Sequence, residues 1–448
     1  MLKTGEGRMT KFRVGALVAA GVLAGGLATS ASAADLGGNC CADLEERIAE
    51  LEATTARKGN RKVSLTISGW VGQQVMWWDD GRESNVYVTD LGSTIASHVK
   101  FTGQATILPG WYAGYVLQLE AIGSDSLTTN QFVPDGPNAL LVPATINGVS
   151  TLQSFWFVKS DQLGKVSIGK QSDAADNSAI LVDGSGSLIP ANWVAFDVNS
   201  FFIREKGGDL TPLHWGGNYC QTFGGAWGDC DGVPRNVVRY DSPTFGGFSV
   251  SASWGEDDIW AVTTRYAGEW HGFKVAAVAS YAESTDEFCC NNASGFTVLN
   301  NTQQYFQTAG YVEHIATGLW IYGAYGHNDY DDDTNLTGRP GQEETWYLKG
   351  GIRQRWTPLG HTVLYGEFLH AHGVGVFAES GIDGFAPLGD FSPRNRDTTE
   401  VAGGGIVQEI DAAAMSVWLK YRHLDYDDNS GIRYDDFQYF SFGGLINY

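Results

Sequence analysis

Positive charge is scarce in this sequence of 448 residues, which has 29 Lys and Arg against 51 Asp and Glu and a formal net charge of −22. Proteins that bind nucleic acids by neutralising phosphates need the opposite balance, so the charge excludes that class of partner. Long apolar runs are also missing, because past residue 34 no stretch approaches the roughly 18 apolar residues of a transmembrane helix. Methionine is rare, with 4 residues, whereas 58 Gly and 12% aromatic residues favour a chain made of β-strands.

Catalytic motifs are absent as well: the sequence has no HExxH helix, no P-loop and no nucleophile elbow. An acidic stretch that includes Asp425, Asp427 and Asp436 imitates the ligand spacing of an EF-hand. However, Ser430 stands where that loop requires Gly, and no helical pattern flanks it. The sequence therefore predicts neither an enzyme nor a bound cofactor or metal ion.

Residues 1–33 have the parts of a secretory signal peptide: a basic start, an apolar stretch over 14–28 and the cleavage motif Ala31-Ser32-Ala33. A first transmembrane helix is the alternative, but this apolar stretch is short and rich in Gly. The six cysteines of an exported chain are free to oxidise, and the sequence does not decide among their pairings. Cys220 and Cys230 flank a Gly-rich stretch, so a local disulfide between them is predicted.

The segment 34–61 carries one short helical pattern, in which Leu44, Ile48, Leu51 and Thr55 have the spacing of a coiled-coil seam. About two heptads are too few for a helix that is stable alone. The segment is therefore either a coiled coil supported by an oligomer or a solvated amphipathic linker.

From Lys62 to the C-terminus the apolar period changes to two, which is typical of strands with one apolar face. About sixteen such segments follow, most of them close to the roughly 9–11 residues that a tilted membrane strand needs. Tight turns alternate with longer polar connections between them. The longer connections are 79–95, 123–150, 172–234, 285–303, 330–343, 373–396 and 425–435.

Long loops at one rim and tight turns at the other are typical of an outer-membrane barrel. Aromatic residues near the segment ends fit the girdles at the two membrane interfaces. In the last segment, Phe440, Phe442, Ile446 and the terminal Tyr448 share one face, which predicts a lipid-facing strand that closes the barrel. The residues assigned to the girdles are Trp77, Trp78, Trp111, Trp254, Trp260, Trp270, Trp320, Trp346, Trp356 and Tyr421.

Three stretches resemble known porins. LGKVSIGKQ (163–171) resembles the strand that enters the constriction loop of general Gram-negative porins, and RNVVRYDSPTFGGF (235–248) resembles the hairpin that leaves it. DLEERIAELEATTARKGNRKVSLTISGW (43–70) resembles the N-terminus of alphaproteobacterial, Rhizobiales-type porins.

The resemblance implies an all-β fold, a 16-stranded antiparallel transmembrane barrel over 62–448, with the loop 172–234 folded inward. It also implies a homotrimer in the bacterial outer membrane, surrounded by lipid and lipopolysaccharide, through which small hydrophilic solutes diffuse passively. The N-terminal helix is a candidate contact with peptidoglycan.

In that family, acidic groups on the constriction loop face basic groups on the wall, and their charges set ion preference. The acidic candidates here are Asp173, Asp176, Asp183 and Asp197. A basic side chain in lipid costs about 2–4 kcal/mol near the midplane, so basic residues within the strands should face the lumen. The basic wall candidates are Lys100, Arg239, Arg265, Lys349, Arg353, Lys420 and Arg422.

Two alternatives stay open. A substrate-specific channel for sugars, phosphate or peptides would share this architecture, and an aromatic ladder in the lumen would favour it. An anchored barrel with an enzymatic or structural role is the other. The aromatic residues of the loop that keep the specific channel open are Trp193, Phe196, Phe201, Phe202, Trp215 and Trp227.

Overall fold

A computed structural model describes residues 62–134, 148–218, 234–255, 258–285, 302–331, 342–373, 397–428 and 430–448. The predicted signal peptide (1–33), the predicted helical segment (34–61), Cys220 and Cys230 lie outside the described residues. None of the helices in the described part of the chain combines the length and the apolar character that crossing a membrane requires.

The described residues consist mainly of strands with period-two patterning. The strands are β1 (Thr66–Asp79), β2 (Ser84–Thr89), β3 (His98–Leu108), β4 (Trp111–Ile122), β5 (Gly148–Ser160), β6 (Gly164–Gln171), β7 (Phe202–Arg204), β8 (Leu210–His214), β9 (Arg235–Asp241), β10 (Phe248–Gly255), β11 (Ile259–Trp270), β12 (Phe273–Ser284), β13 (Thr302–His314), β14 (Leu319–Asp331), β15 (Gln342–Thr357), β16 (Gly360–Gly373), β17 (Asp397–Ile410), β18 (Met415–Asp428) and β19 (Phe437–Asn447).

Among the described strands, all but β7 and β8 form one antiparallel sheet of 17 strands. The sheet is closed, because β1 pairs with β19 on one side and with β2 and β3 on the other. β2 pairs with the second half of β1 and β3 with its beginning, so these two share one position and the barrel has sixteen. The predicted sixteen-strand barrel is thereby confirmed. Closure pairs the backbone groups of every strand, which a sheet in hydrocarbon requires.

The two faces of each strand have the chemistry that the alternation predicted. On β19, Phe440 and Phe442 point outward and are exposed, whereas Tyr439 and Ser441 point inward and are buried. Exposed tryptophans lie near both rims: Trp111, Trp270 and Trp356 beside tight turns, and Trp254, Trp260 and Trp346 at the opposite rim, where most connections are long. Trp78 and Trp320, also assigned to the girdles, instead face inward and are buried, because the long loop covers the wall there.

Two short elements lie where the sequence predicted only loops. β2 occupies part of 79–95, because Val86 and Val88 point outward and Tyr87 inward, which is a strand alternation. The second is the hairpin β7–β8 inside the long loop 172–234. The same loop also contains the short helix α1 (Leu188–Ala191).

The packed core lies inside the barrel, between the long loop and the inner wall. Near the long-loop rim, Trp78 of β1 and Phe437 of β19 stack at 6.2 Å between ring centres. Phe201 of the loop packs on both rings, at 5.3 and 5.1 Å. The loop is therefore bound to the wall by a buried apolar core as well as by polar contacts.

Candidate pore constriction

The first part of the long loop is held against the inner wall by side chains that bind its backbone. Ser253 of β10 accepts a hydrogen bond from the Ala174 amide, and Thr263 of β11 donates one to the Ala174 carbonyl. Gln307 of β13 bonds to the loop twice, with 3.0 Å to the Ala179 nitrogen and 2.8 Å to the Ala175 oxygen. Residues 174–179 therefore follow the wall across at least three strands.

Asp183 of the loop makes a buried ion pair with Lys349 of β15, at 2.5 Å between Nζ and Oδ2. Ser187 and Asn192, also in the loop, accept the other two hydrogen bonds of this ammonium group. All three donors of Lys349 are thus used by the loop, which offsets the cost of burying the charge. The ammonium also lies 5.5–5.8 Å from the ring centres of Trp320, Tyr322 and Tyr365.

Asp197 is the second acidic anchor of the loop. Lys420 of β18 lies 2.5 Å from its Oδ2 atom, and Tyr439 of β19 donates a hydrogen bond to the same oxygen. Gln74 of β1 donates to Oδ1 at 2.6 Å. Burial opposes ionisation of Asp197, but the charges of Lys420 and Arg422 outweigh it, so the pKa of this carboxyl is lowered.

Arg422 of β18 links the wall to the loop backbone. Its guanidinium bonds to both carboxylate oxygens of Glu367 on β16, at 2.8 and 3.0 Å. It also donates to the carbonyl oxygens of Ala191 and Val194 in the loop and to the hydroxyl of Tyr439. Sequence reasoning missed Glu367, although its inward position between the inward Tyr365 and Leu369 could have identified it.

Asp173 and Asp176 lie at the start of the loop and are buried, at 0% and 3% exposure. Arg239 of β9 and Arg265 of β11 reach this region, but they donate to the carbonyl oxygens of Asp173 and Ala174 rather than to the two carboxylates. Burial and the charge of Asp173 raise the pKa of Asp176 to about 7. Here the arginines hold the backbone of the loop.

Lys100 and Arg353, the remaining basic candidates, also face inward. Lys100 is buried on β3, opposite Gln118 of β4 in the strand register. Arg353 of β15 makes a two-pronged pair with Glu409 of β17, at 3.0 and 2.8 Å. The loop passes close to this pair at Gly186, where a Cβ atom would lie 2.7 Å from the Glu409 carboxylate. Only glycine fits that approach, which also has a φ of +84°.

Tyr448 joins three strands at the tight-turn rim. Its backbone exchanges two hydrogen bonds with Gly69 of β1, at 3.0 and 3.1 Å. Its hydroxyl donates a third to the His98 carbonyl at the start of β3, while the ring faces outward.

Four of the loop aromatics that would favour a substrate-specific channel are buried: Trp193, Phe196, Phe201 and Trp215. Phe202 is half-buried, and Trp227 lies outside the described residues. In the described part of the chain, no group of three or more His, Cys, Asp or Glu side chains is arranged to hold a metal ion. The geometry is that of a barrel whose lumen is narrowed by a firmly bound loop.

Comparisons with known proteins agree with this architecture. A family model for Gram-negative porins matches residues 16–444. The anion-selective porin from Comamonas acidovorans is 14% identical and aligns with a TM-score of 0.55 over 86% of this chain and 100% of that one. OprB from Pseudomonas putida is 12% identical, with a TM-score of 0.53 over 91% and 97%. OmpT from Vibrio cholerae, in its trimer form, is 12% identical, with a TM-score of 0.50 over 86% and 99%. A search of curated protein sequences finds no match.

Proposed function

We propose, from the premise that this chain belongs to the Gram-negative porin family and forms an outer-membrane channel for passive diffusion, that the channel admits small hydrophilic solutes in general and is narrowed by the loop 172–234. The observation that carries this proposal is the attachment of that loop to the inner wall through Lys349, Lys420 and Arg422. A barrel of sixteen strands otherwise leaves a broad aqueous lumen.

The first experiment is reconstitution of the mature protein in a planar bilayer, combined with swelling of liposomes in sugars of increasing size. A general channel gives stepwise, ohmic conductance and permeation rates that fall smoothly with solute size. Silence from folded, heat-modifiable protein would reject open diffusion.

A substrate-specific channel is the second candidate, and the same liposomes distinguish it. Saturation of permeation by one sugar, phosphate or peptide, with exclusion of others of equal size, would favour it. Burial of Trp193, Phe196, Phe201 and Trp215 speaks against it, because rings packed in a core are not available for stacking on sugars.

We also propose that the channel is a homotrimer from an alphaproteobacterium, since the N-terminal sequence resembles porins of that class. The trimer form of the similar OmpT is consistent with this assembly. Single-channel steps that arrive in groups of three, with a trimeric mass of the native protein in detergent, would support it. A monomeric mass together with full conductance would contradict it.

The segment 34–61 is proposed to form a three-helix stub on the trimer axis, on the peptidoglycan side, with Cys40 and Cys41 joining chains. Non-reducing gels of a variant with both cysteines replaced by Ser test this proposal. An oligomer pattern unchanged from the parent protein would reject the cross-link. Retention of the parent protein on isolated peptidoglycan, lost when 34–61 is deleted, would support the contact.

We further propose that the pore prefers cations, because acidic residues outnumber basic ones in the long loop 172–234. The reversal potential under a salt gradient measures this preference. Neutralising Asp173 and Asp176 shifts it if their charge acts on the constriction, whereas no shift would remove both residues from that role.

A further inference from the structure

The hairpin β7–β8 leaves the inner wall and lies across part of the mouth at the long-loop rim. It contacts three separate connections there. The first is the turn 80–83 between β1 and β2, the second is the stretch after β4, at Gln131, and the third is the end of the loop between β18 and β19. A hairpin held from three sides in this way has little freedom to move.

One ion pair lies at the centre of these contacts. Arg204 of β7 donates to Oδ2 of Asp80 at 2.8 Å, and the two side chains are 4% and 2% exposed. The same oxygen accepts a hydrogen bond from Gln131, and Oδ1 accepts those of the Arg82 and Glu83 amides. Asp80 therefore joins its own turn to the stretch after β4 and to the hairpin.

Backbone contacts continue the attachment on both sides of Arg204. Gln131 bonds with its side-chain amide to both the nitrogen and the oxygen of Phe202, at 3.0 and 2.9 Å. The Lys206 amide donates to the Arg433 carbonyl at 2.7 Å, and the Asp435 amide donates to the Arg204 carbonyl at 2.9 Å. Hydrogen bonds to the backbone therefore hold the hairpin on both sides of Arg204.

Beneath the hairpin, this sector of the mouth is filled by buried aromatic rings. Trp78, Phe201, Trp215 and Phe437 are 2% exposed or less and fill the space between the hairpin and the ends of β1 and β19. No hydrated solute enters through a sector that is filled by packed aromatic rings.

We infer that the hairpin β7–β8 is a fixed cap over the sector of the mouth above β19, β1 and β2, latched by Arg204 and Asp80, and that it sets the upper size limit of entering solutes. This inference rests on the proposed diffusion function. Arg204 and Asp80 are positioning residues, since they act by holding the hairpin and not by touching the solute. Both burial and geometry distinguish this pair from the exposed contact of Arg82 with Asp209, where the side chains are 56% and 101% exposed.

The test compares the parent protein with Arg204→Met, Asp80→Asn and the double variant. Arg355→Met is the matched control, because it removes an exposed Arg–Asp pair, with Asp411, at the tight-turn end of β15. The gel shift on heating reports whether each barrel is folded. Polyethylene glycols of increasing size, added to the bilayer bath, report the exclusion limit. Trypsin reports the hairpin separately, because Lys206 is exposed but its amide is held by Arg433.

We expect Arg204→Met to admit larger polymers than the parent and to be cleaved faster after Lys206, while Arg355→Met matches the parent in both respects. The double variant should admit polymers no larger, and be cleaved no faster, than the more strongly affected single variant, because both changes break the same contact. A folded Arg204→Met with the polymer limit and cleavage rate of the parent would overturn the inference. If Arg204→Met does not fold, Asp80→Asn and Arg204→Lys decide by the same two measurements.

The two proposals fail in different ways. A parent protein that is folded but conducts nothing overturns the diffusion function, whereas the trypsin result for the variants still decides whether the latch holds the hairpin. A conducting parent with unchanged variants overturns the cap alone.

Discussion

The Nζ atom of Lys349 on β15 lies 2.5 Å from Oδ2 of Asp183 in the long loop, and neither side chain is exposed to solvent. Replacing Lys349 by Met leaves the Asp183 charge buried without its cation, which typically costs about 3–5 kcal/mol. We expect the Lys349→Met barrel to lose its folded gel band at a lower temperature than the parent protein.

The double variant Lys349→Met, Asp183→Asn distinguishes the loss of the ion-pair attraction from the cost of a buried Asp183 charge without a partner. It should recover part of the stability, since no unpaired charge remains. Arg355→Met is the control, because the half-exposed pair with Asp411 should contribute only about 0–1 kcal/mol. Equal losses in Lys349→Met and Arg355→Met would contradict the assigned role of the buried pair.

Arg422 should not tolerate replacement by Lys. Its guanidinium serves both oxygens of Glu367 and two carbonyl groups of the loop, and a lysine ammonium lacks the planar fork that makes this possible. We expect Arg422→Lys to lower stability by about 1–3 kcal/mol, through unsatisfied buried acceptors. We also expect added closures in single-channel records, because residues 191–194 lose their bonds to the wall. A record with no more closures than that of the parent would show that these bonds do not hold the loop.

The inward direction of Lys349 and Arg422 could be predicted from the sequence, because a charge in lipid is costly and the strand alternation is regular. Their partners could not be predicted. Asp183 is 166 residues away from Lys349 along the chain and is brought to it by the path of the long loop, which no local pattern encodes.

The inward apolar residues also could not be explained from the sequence pattern alone. Trp70 and Met76 break the alternation of β1, because both point inward and are buried. A water-filled lumen predicts polar residues there, but the wall beneath the long loop is packed and buried. Trp70 donates its indole hydrogen to the Ile95 carbonyl, which satisfies its polar atom in that setting. The exceptions in the pattern therefore mark the wall that the loop covers.

Asp176 should make stability depend on pH. Burial and the charge of Asp173 raise its pKa to about 7, although Arg235 and Arg239 act in the opposite direction. The unfolded chain releases this proton near pH 4, as aspartate ordinarily does, whereas the folded chain keeps it up to about pH 7. Its contribution to stability is therefore complete below about pH 4 and is lost as the pH rises to about 7.

Asp176→Asn removes this titration and keeps the oxygen to which Asn177 donates. We expect the variant to be more stable than the parent at pH 8, by up to about 4 kcal/mol for a shift of about three pKa units, and to match it near pH 4. Unfolding by urea in lipid vesicles at the two pH values measures the difference. A gain that is the same at both values would contradict a titrating Asp176.

Cys220 and Cys230 are predicted to form a local disulfide within the long loop. Peptide mapping of the exported protein without reductant, with cleavage after Phe223 or Trp227, should yield two linked peptides, one with each cysteine, that separate on reduction. Because a small closed loop leaves the barrel strands unaffected, we expect reduction to leave the heat-dependent gel shift unchanged. Mapping that places either cysteine in a bridge to Cys289 or Cys290 would refute this pairing.

Tyr448 should matter for closure of the barrel through its ring and its backbone more than through its hydroxyl. Two backbone hydrogen bonds join it to Gly69 of β1, and its hydroxyl adds one to the His98 carbonyl. Tyr448→Phe removes the hydroxyl bond alone, which should cost about 0.5–1.5 kcal/mol and leave the yield of folded barrel nearly unchanged. Deletion of Tyr448 removes the ring and the backbone bonds and should lower the folded yield strongly, as read from the heat-modifiable fraction of the membrane extract. Equal yields for the deletion and Tyr448→Phe would show that the last residue takes no part in closing the barrel.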